Sequence, residues 1–287
     1  IGNNAYNKME NGEINILNCS NLGTLLGNNN GGILGYNAFK EMIYGEINLN
    51  NTNNSGNIEG INSGGLFGNN SFELITNGKI VIDECINDGE IYAFSEEGGG
   101  IFSNHCLKDA DNVNLTINKC INNGDIYNEG GGLCGSYFGE NIKDGTFLVD
   151  ACYNNGLING NNSGGLFGSN AFYEMEKGTL KINKSFNVKN IEGENAGGLI
   201  GNQSFYNITD GNIIISYCNT SGNINGNNSG GLIGNNLMNL IDNCNLYINN
   251  CFNVGEINGE NSGGLIGSNS LKEIVNGIFT ITNCYST

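Results

Sequence analysis

Paired carboxylates, a histidine beside a cysteine, and ten thiols are the residue types in this chain that could carry chemistry. Glycosidic cleavage uses two carboxylates that face each other across the breaking bond. Glu90 and Asp125 lie about 35 residues apart, and Glu13 and Glu46 about 33. Asn takes the place of the acid at the matching positions elsewhere, and no basic residue recurs nearby to hold an acidic sugar. These four therefore read as a solvated acidic edge. His105 is the single histidine; Cys106 beside it would make a nucleophile pair, and Asp109 and Asp111 a partial metal site. A structural zinc site takes about four Cys or His ligands at recognisable spacing, and the stretch EEGGGIFSNHCLKDADNVN, residues 96–114, offers two. Its aspartates lack the ordered spacing of a calcium loop. We assign no catalytic residue, no metal ligand and no cofactor, and read the stretch as a variant with a looser turn.

Seven of the cysteines, Cys19, Cys85, Cys120, Cys152, Cys218, Cys251 and Cys284, recur in one column with Thr52 and Ser185, about 33 residues apart. Cys106, Cys134 and Cys244 lie outside it. Column neighbours stacked in register would have Cα atoms about 5 Å apart, within disulfide range. Their side chains would point the same way, however, so a bridge would need local distortion. Thr52 and Ser185 hold the same place without a partner. Packed, reduced thiols that act as small apolar groups are the expectation.

That column belongs to a repeat that runs through the whole chain. A Gly-Gly pair begins at Gly31, Gly64, Gly99, Gly131, Gly164, Gly197, Gly230 and Gly263, at about 33-residue intervals, with one long and one short step around Gly99. The Cys column keeps the same interval and the same irregularity. Each unit holds three stretches with strand character. The first is Gly-Gly followed by two mostly apolar residues, with a leucine column through Leu166, Leu199, Leu232 and Leu265. The second alternates apolar residues with period two, as in Leu115 and Ile117 or Ile213 and Ile215. The third reads Cys-x-Asn-x-Gly-x-Ile-x-Gly, as in Cys251, Asn253, Gly255, Ile257 and Gly259. About ten residues link the first stretch to the second, and they usually carry an aromatic such as Phe39, Phe72, Phe172 or Phe205. Helix is an option for residues 171–178 alone, because elsewhere the link is rich in Asn and Gly.

Three short strands per unit, repeated identically, predict an all-β fold: a parallel β-helix, or β-solenoid, of about nine coils that forms a single array over residues 1–287. Parallel crossovers make a right-handed coil the expectation. Identical residues then stack about 4.8 Å apart. Leu and Ile columns fill the interior. The Asn column through Asn21, Asn54, Asn87, Asn122, Asn154, Asn187 and Asn253 can pass amide hydrogen bonds from coil to coil. The fixed glycines are expected to supply positive φ at the turns.

With those columns in place, "INNCFNVGEINGENSGGLIGSNS", residues 248–270, resembles the GLUG-motif repeat of large surface and adhesin-like microbial proteins. The likeness recurs in every unit; the aromatic-bearing link is a departure from it. It implies a cell-surface or extracellular setting and a structural or adhesive role.

Composition narrows the partners. The net charge is −17 on 28 acidic and 11 basic residues, which disfavours nucleic acid and anionic membrane surfaces. No apolar run approaches the length of a spanning helix, so no membrane insertion is expected of this segment. Asn supplies roughly a fifth of the residues, and many Asn-x-Ser/Thr triplets follow, including those at Asn69, Asn161 and Asn227; these would be N-glycosylation acceptors in a glycosylating host. The Gly-Gly-Leu pattern is already under way at Ile1, and the chain stops shortly after Cys284. Neither end has a polar cap, so the expectation is a segment of a longer chain or filament. The function expected is that of a fibre or adhesin shaft that associates with itself. A glycan- or protein-binding face is the alternative, with Tyr153, Phe186, Phe252 and Tyr285 pointing outward; a polysaccharide-cleaving enzyme is the least favoured.

Overall fold

The computed structural model describes residues 1–93 and 98–287. It is a β-solenoid in which every strand pairing among the described residues is parallel and, apart from one step of two residues' excess and one of a residue's deficit, joins positions 33 residues apart. The long strand of each coil, such as Lys79–Asp83, Gly178–Asn183 or Asn245–Asn249, belongs to a nine-stranded sheet that runs the length of the molecule in sequence order. Alternation sets which side of that sheet is buried: Ile80 and Ile82 point inward and pair with Leu115 and Ile117 on the next coil, while Val81 points out.

The stretch that starts at the Cys column is not one strand but two. Pairs such as Ile86–Asn87 and Phe186–Asn187 form a second nine-stranded sheet, and pairs such as Ile91–Tyr92 and Ile224–Asn225 an eight-stranded one. The Gly between them turns the chain, so a single straight strand would not follow the coil. The Gly-Gly stretch is held mostly by single bridges: Gly64 pairs with Gly31 and Gly99, and Phe67 with Leu34 and Phe102. The link after it is not helical. Residues Glu174–Glu176 form a strand paired with Asn207–Thr209. The aromatics of the link turn into the core: Phe39, Phe72, Phe172 and Phe205 are fully buried, and Phe39 stacks on Phe72 with centroids 5.3 Å apart.

The glycines hold a different role from the one expected. Among the described residues only Gly27, Gly60, Gly139 and Gly145 have positive φ. The corners are instead turned by side-chain-bearing residues, above all Asn. Asn18 (φ 55°), Asn51 (48°), Asn250 (54°) and Asn283 (53°) hold one corner, and Asn62, Asn162, Asn195 and Asn228 another, each near 55–57°. Asn tolerates the left-handed region because its short polar side chain bonds locally. The Gly-Gly pairs are needed for close approach. A Cβ on Gly32 would sit 2.5 Å from the Asn54 Oδ1, and one on Gly65 would overlap the Gly100 carbonyl.

Leu166, Leu199 and Leu232 are fully buried, as the column reading requires. Leu265 is only partly buried because it lies in the last coil, where one side has no neighbour.

Candidate functional site

The most constrained polar array is the inner Asn column. Asn21 Nδ2 donates to Asn54 Oδ1 at 2.7 Å, Asn54 to Asn87 at 2.8 Å, Asn87 to Asn122 at 2.7 Å, Asn122 to Asn154 at 2.8 Å and Asn154 to Asn187 at 2.8 Å. The second hydrogen of each amide goes to the carbonyl two residues on, as in Asn87 to Gly89 and Asn122 to Gly124, both 2.8 Å. From Asn54 to Asn154 both donors of each amide are therefore used at zero exposure, which is what allows a primary amide to be buried. Thr220 breaks the run. Its buried Oγ1 has no partner, and Asn187 Nδ2 keeps only its bond to the Lys189 carbonyl. Beyond the gap Asn253 Nδ2 bonds to Gly255 O and to Ser286 Oγ.

Outer Asn ladders run the other way. Asn48 donates back to Asn15 at 3.1 Å, Asn51 to Asn18 at 2.7 Å and Asn245 to Asn212 at 3.0 Å, from the later coil to the earlier. Carboxylates enter these ladders as acceptors between donors. Asp83 accepts from Asn50 at 3.2 Å and from Asn118 at 2.7 Å.

Between the exposed Cys19 and the partly buried Cys284 the cysteine column is buried, and all ten cysteines are free thiols. Cys85, Cys120, Cys218 and Cys251 are buried, and each Sγ donates to the carbonyl two residues before it, at 3.2–3.4 Å. Cys218 and Cys251 backbone amides point at the next sulfur along, Cys251 and Cys284, at 3.4 Å. Thr52 and Ser185 fit the column because their hydroxyls take the same amide from the previous coil. The neighbouring thiol and burial push Cys85 up, and burial pushes Cys120 and Cys218 well above the ordinary thiol value.

The residues first considered for chemistry are held apart or used as structure. Asp125 Oδ1 accepts the Leu157 amide at 2.7 Å, and Glu90 accepts the Tyr92 hydroxyl, which raises that phenol to about 12. Glu13 accepts Asn15, while Glu46 accepts Lys79 at 2.6 Å, and that ammonium lowers its carboxyl. His105 occupies a corner, stacks on Tyr137 at 4.7 Å and lies 3.2 Å from Glu140 Oε2. Cys106 turns the opposite way into the core, bonds to Gly68 O at 3.5 Å, and is pushed up to about 12 by burial. In this turn the His105 ring stays near the surface while the Cys106 thiol is fully buried, so the two side chains face different surroundings. Asp109 accepts Asn141 at 2.8 Å, and Asp111 lies 3.7 Å from the Lys143 ammonium. Among the described residues no three metal-ligating side chains converge. Glu96 and Glu97 of the same stretch lie outside the described residues.

Of the glycosylation triplets, Asn161 and Asn227 are exposed, but their serines, Ser163 and Ser229, are buried. Asn69 is itself buried, with its Oδ1 unpartnered and its Nδ2 3.4 Å from Asn29. On the outer face Tyr153 packs against Phe186 with centroids 5.0 Å apart and the rings tilted by 37°, and Phe252 stacks on Tyr285 at 5.1 Å. Sequence reasoning missed the Tyr92–Tyr127 stack at 4.7 Å and the Tyr173–Tyr206 stack at 4.8 Å, although the matching positions one repeat apart would have located both. A shallow groove of about 530 Å³ runs past Tyr44, Glu46, Asn77 and Lys79.

No protein family, curated protein or solved structure matches the chain. Among the described residues no helix is long and apolar enough to cross a membrane.

Proposed function

We propose that the chain is a structural shaft: part of a fibre, filament or adhesin stem outside the cell or at its surface, without catalysis. The observation that carries this reading is the unbroken register. One parallel sheet of nine strands links the coils from Glu13–Leu17 to Ile278–Thr282, and the same apolar, thiol and amide columns run alongside it. Contacts of that kind add along an axis and resist extension, because each coil is held by every ladder at once. The resemblance of the repeat to surface and adhesin-like proteins supports the setting.

Electron microscopy of purified native material, with its power spectrum, tests this. Long fibres with a meridional repeat near 4.8 Å are expected. Discrete short particles without axial association would overturn the shaft. A second reading, a glycan- or protein-binding face, is favoured by the outward aromatic pairs Tyr153–Phe186 and Phe252–Tyr285, since exposed rings stack on sugars and partners.

A further inference from the structure

The outward face of the sheet that starts at the Cys column carries a pattern that is complementary to itself when reversed. Its central column runs Ile86, Ile121, Tyr153, Phe186 on successive coils. To one side lies the corner column Glu84, Lys119, Ala151, Lys184, held in register by backbone bonds from each coil to the next. To the other side lie Asp88, Asn123, Asn155 and Val188, two residues beyond the central column. Tyr153 is 37% exposed and Val188 45%, and Ile86, Ile121 and Phe186 are half-buried. Lys184 has no ion pair among the described residues, whereas Glu84 already holds Lys119 at 2.8 Å on the solvent side.

We propose that this face binds a second copy of the chain, side by side and antiparallel, about a two-fold axis that passes between the coils of Ile121 and Tyr153. A two-fold contact puts each residue opposite the one that mirrors it across the axis. Ile121 then meets Tyr153 of the second copy, and Ile86 meets Phe186. At the corner Glu84 meets the second copy's unpaired Lys184, and on the far edge Asn123 meets Asn155. Outward the match is partial: Asn53 faces Asn219 and the exposed Leu22 faces the exposed Val254, whereas Asp88 falls opposite Val188 and Ser20 opposite Phe252. Eight coils at the usual strand spacing make a strip about 34 Å long.

Charge selects the occupant. The molecule as a whole carries −17, so copies repel through most orientations. Reversal brings Glu84 to Lys184 at both ends of the apolar strip, the one pair of opposite charges it joins on this face. A parallel arrangement would put Glu84 against Asp88 instead. The pairing rests on the shaft reading only in taking the partner to be another copy, and it names the face through which shafts would bundle.

The test is a charge swap on the full chain. Sedimentation at low salt is expected to show a concentration-dependent dimer, and zero-length carbodiimide coupling of mixed heavy and light copies an intermolecular Glu84–Lys184 link. Lys184→Glu should weaken the dimer at least about tenfold, and Glu84→Lys with Lys184→Glu should restore it, each with unchanged circular dichroism. A chain that stays monomeric, a dimer indifferent to Lys184→Glu, or a swap that fails to restore would overturn the proposal. So would an oligosaccharide that binds this face of a monomer. Single unpaired fibres in the microscope would overturn the pairing and leave the shaft standing; antiparallel pairs of discrete short particles would do the reverse.

Discussion

Asparagine serves this chain in three distinct ways. At the corners it accepts a left-handed backbone, on the surface it relays hydrogen bonds backward, and inside it forms the forward ladder from Asn21 to Asn187. The inner use is the most demanding, since an amide short of one partner in that column costs about 1–3 kcal/mol. Thr220 is the place where this happens: its hydroxyl is orphaned and Asn187 loses its forward acceptor. Room for an amide exists, because Gly198 faces Thr220 as Gly165 faces Asn187. Thr220→Asn should therefore accept from Asn187, donate toward Asn253 and join the two ladder segments. We expect it to raise Tm by about 2–4 °C in a thermal melt. A lower Tm would mean that the column tolerates Thr because the backbone there has no place for the amide.

The coil is closed by glycines chosen for contact rather than for dihedral freedom. A Cβ on Gly132 would overlap the Gly165 carbonyl and the Asn154 side chain, neither of which can yield without breaking the ladder. Gly132→Ala should cost more than about 3 kcal/mol, whereas Asn51→Gly at a corner should be nearly neutral; chemical denaturation of both variants checks the contrast. This is also where sequence reading reached its limit. The period, the inward Ile and Leu columns, the thiol column and the Asn ladder were all legible, because in-register stacking makes like residues recur at one interval. What the glycines do was not, since a conserved spacing looks the same whether the site needs positive φ or an absent Cβ. The corners were missed for a related reason: Glu84, Lys119, Ala151, Lys184 and Tyr217 share with Asn51 a left-handed backbone that no common side-chain chemistry announces. The split of the Cys-x-Asn-x-Gly-x-Ile stretch into two sheets followed from geometry around the Gly, which pattern alone does not carry.

A solenoid divides its stability among nearest neighbours, so the effect of a lesion depends on where along the axis it falls. Leu232 is fully buried, and its coil is followed by only one further Gly-Gly unit, that of Gly263. Leu232→Asp places an unpaired carboxylate among apolar columns at a cost of more than about 4 kcal/mol. In residues 1–287 taken by themselves, the coils beyond it would be too few to bury a core of their own, because about three repeats are needed for independent stability. Hydrogen exchange read by mass spectrometry should then show protection lost from about residue 213 to the end and retained over the coils before it. The same change at Leu133 leaves several coils on each side, so it should open a central gap between two protected blocks instead of fraying one end. Protection lost evenly along the chain in either variant would mean that the coils unfold as one unit, and the additive, axial stability on which a shaft depends would have to be abandoned.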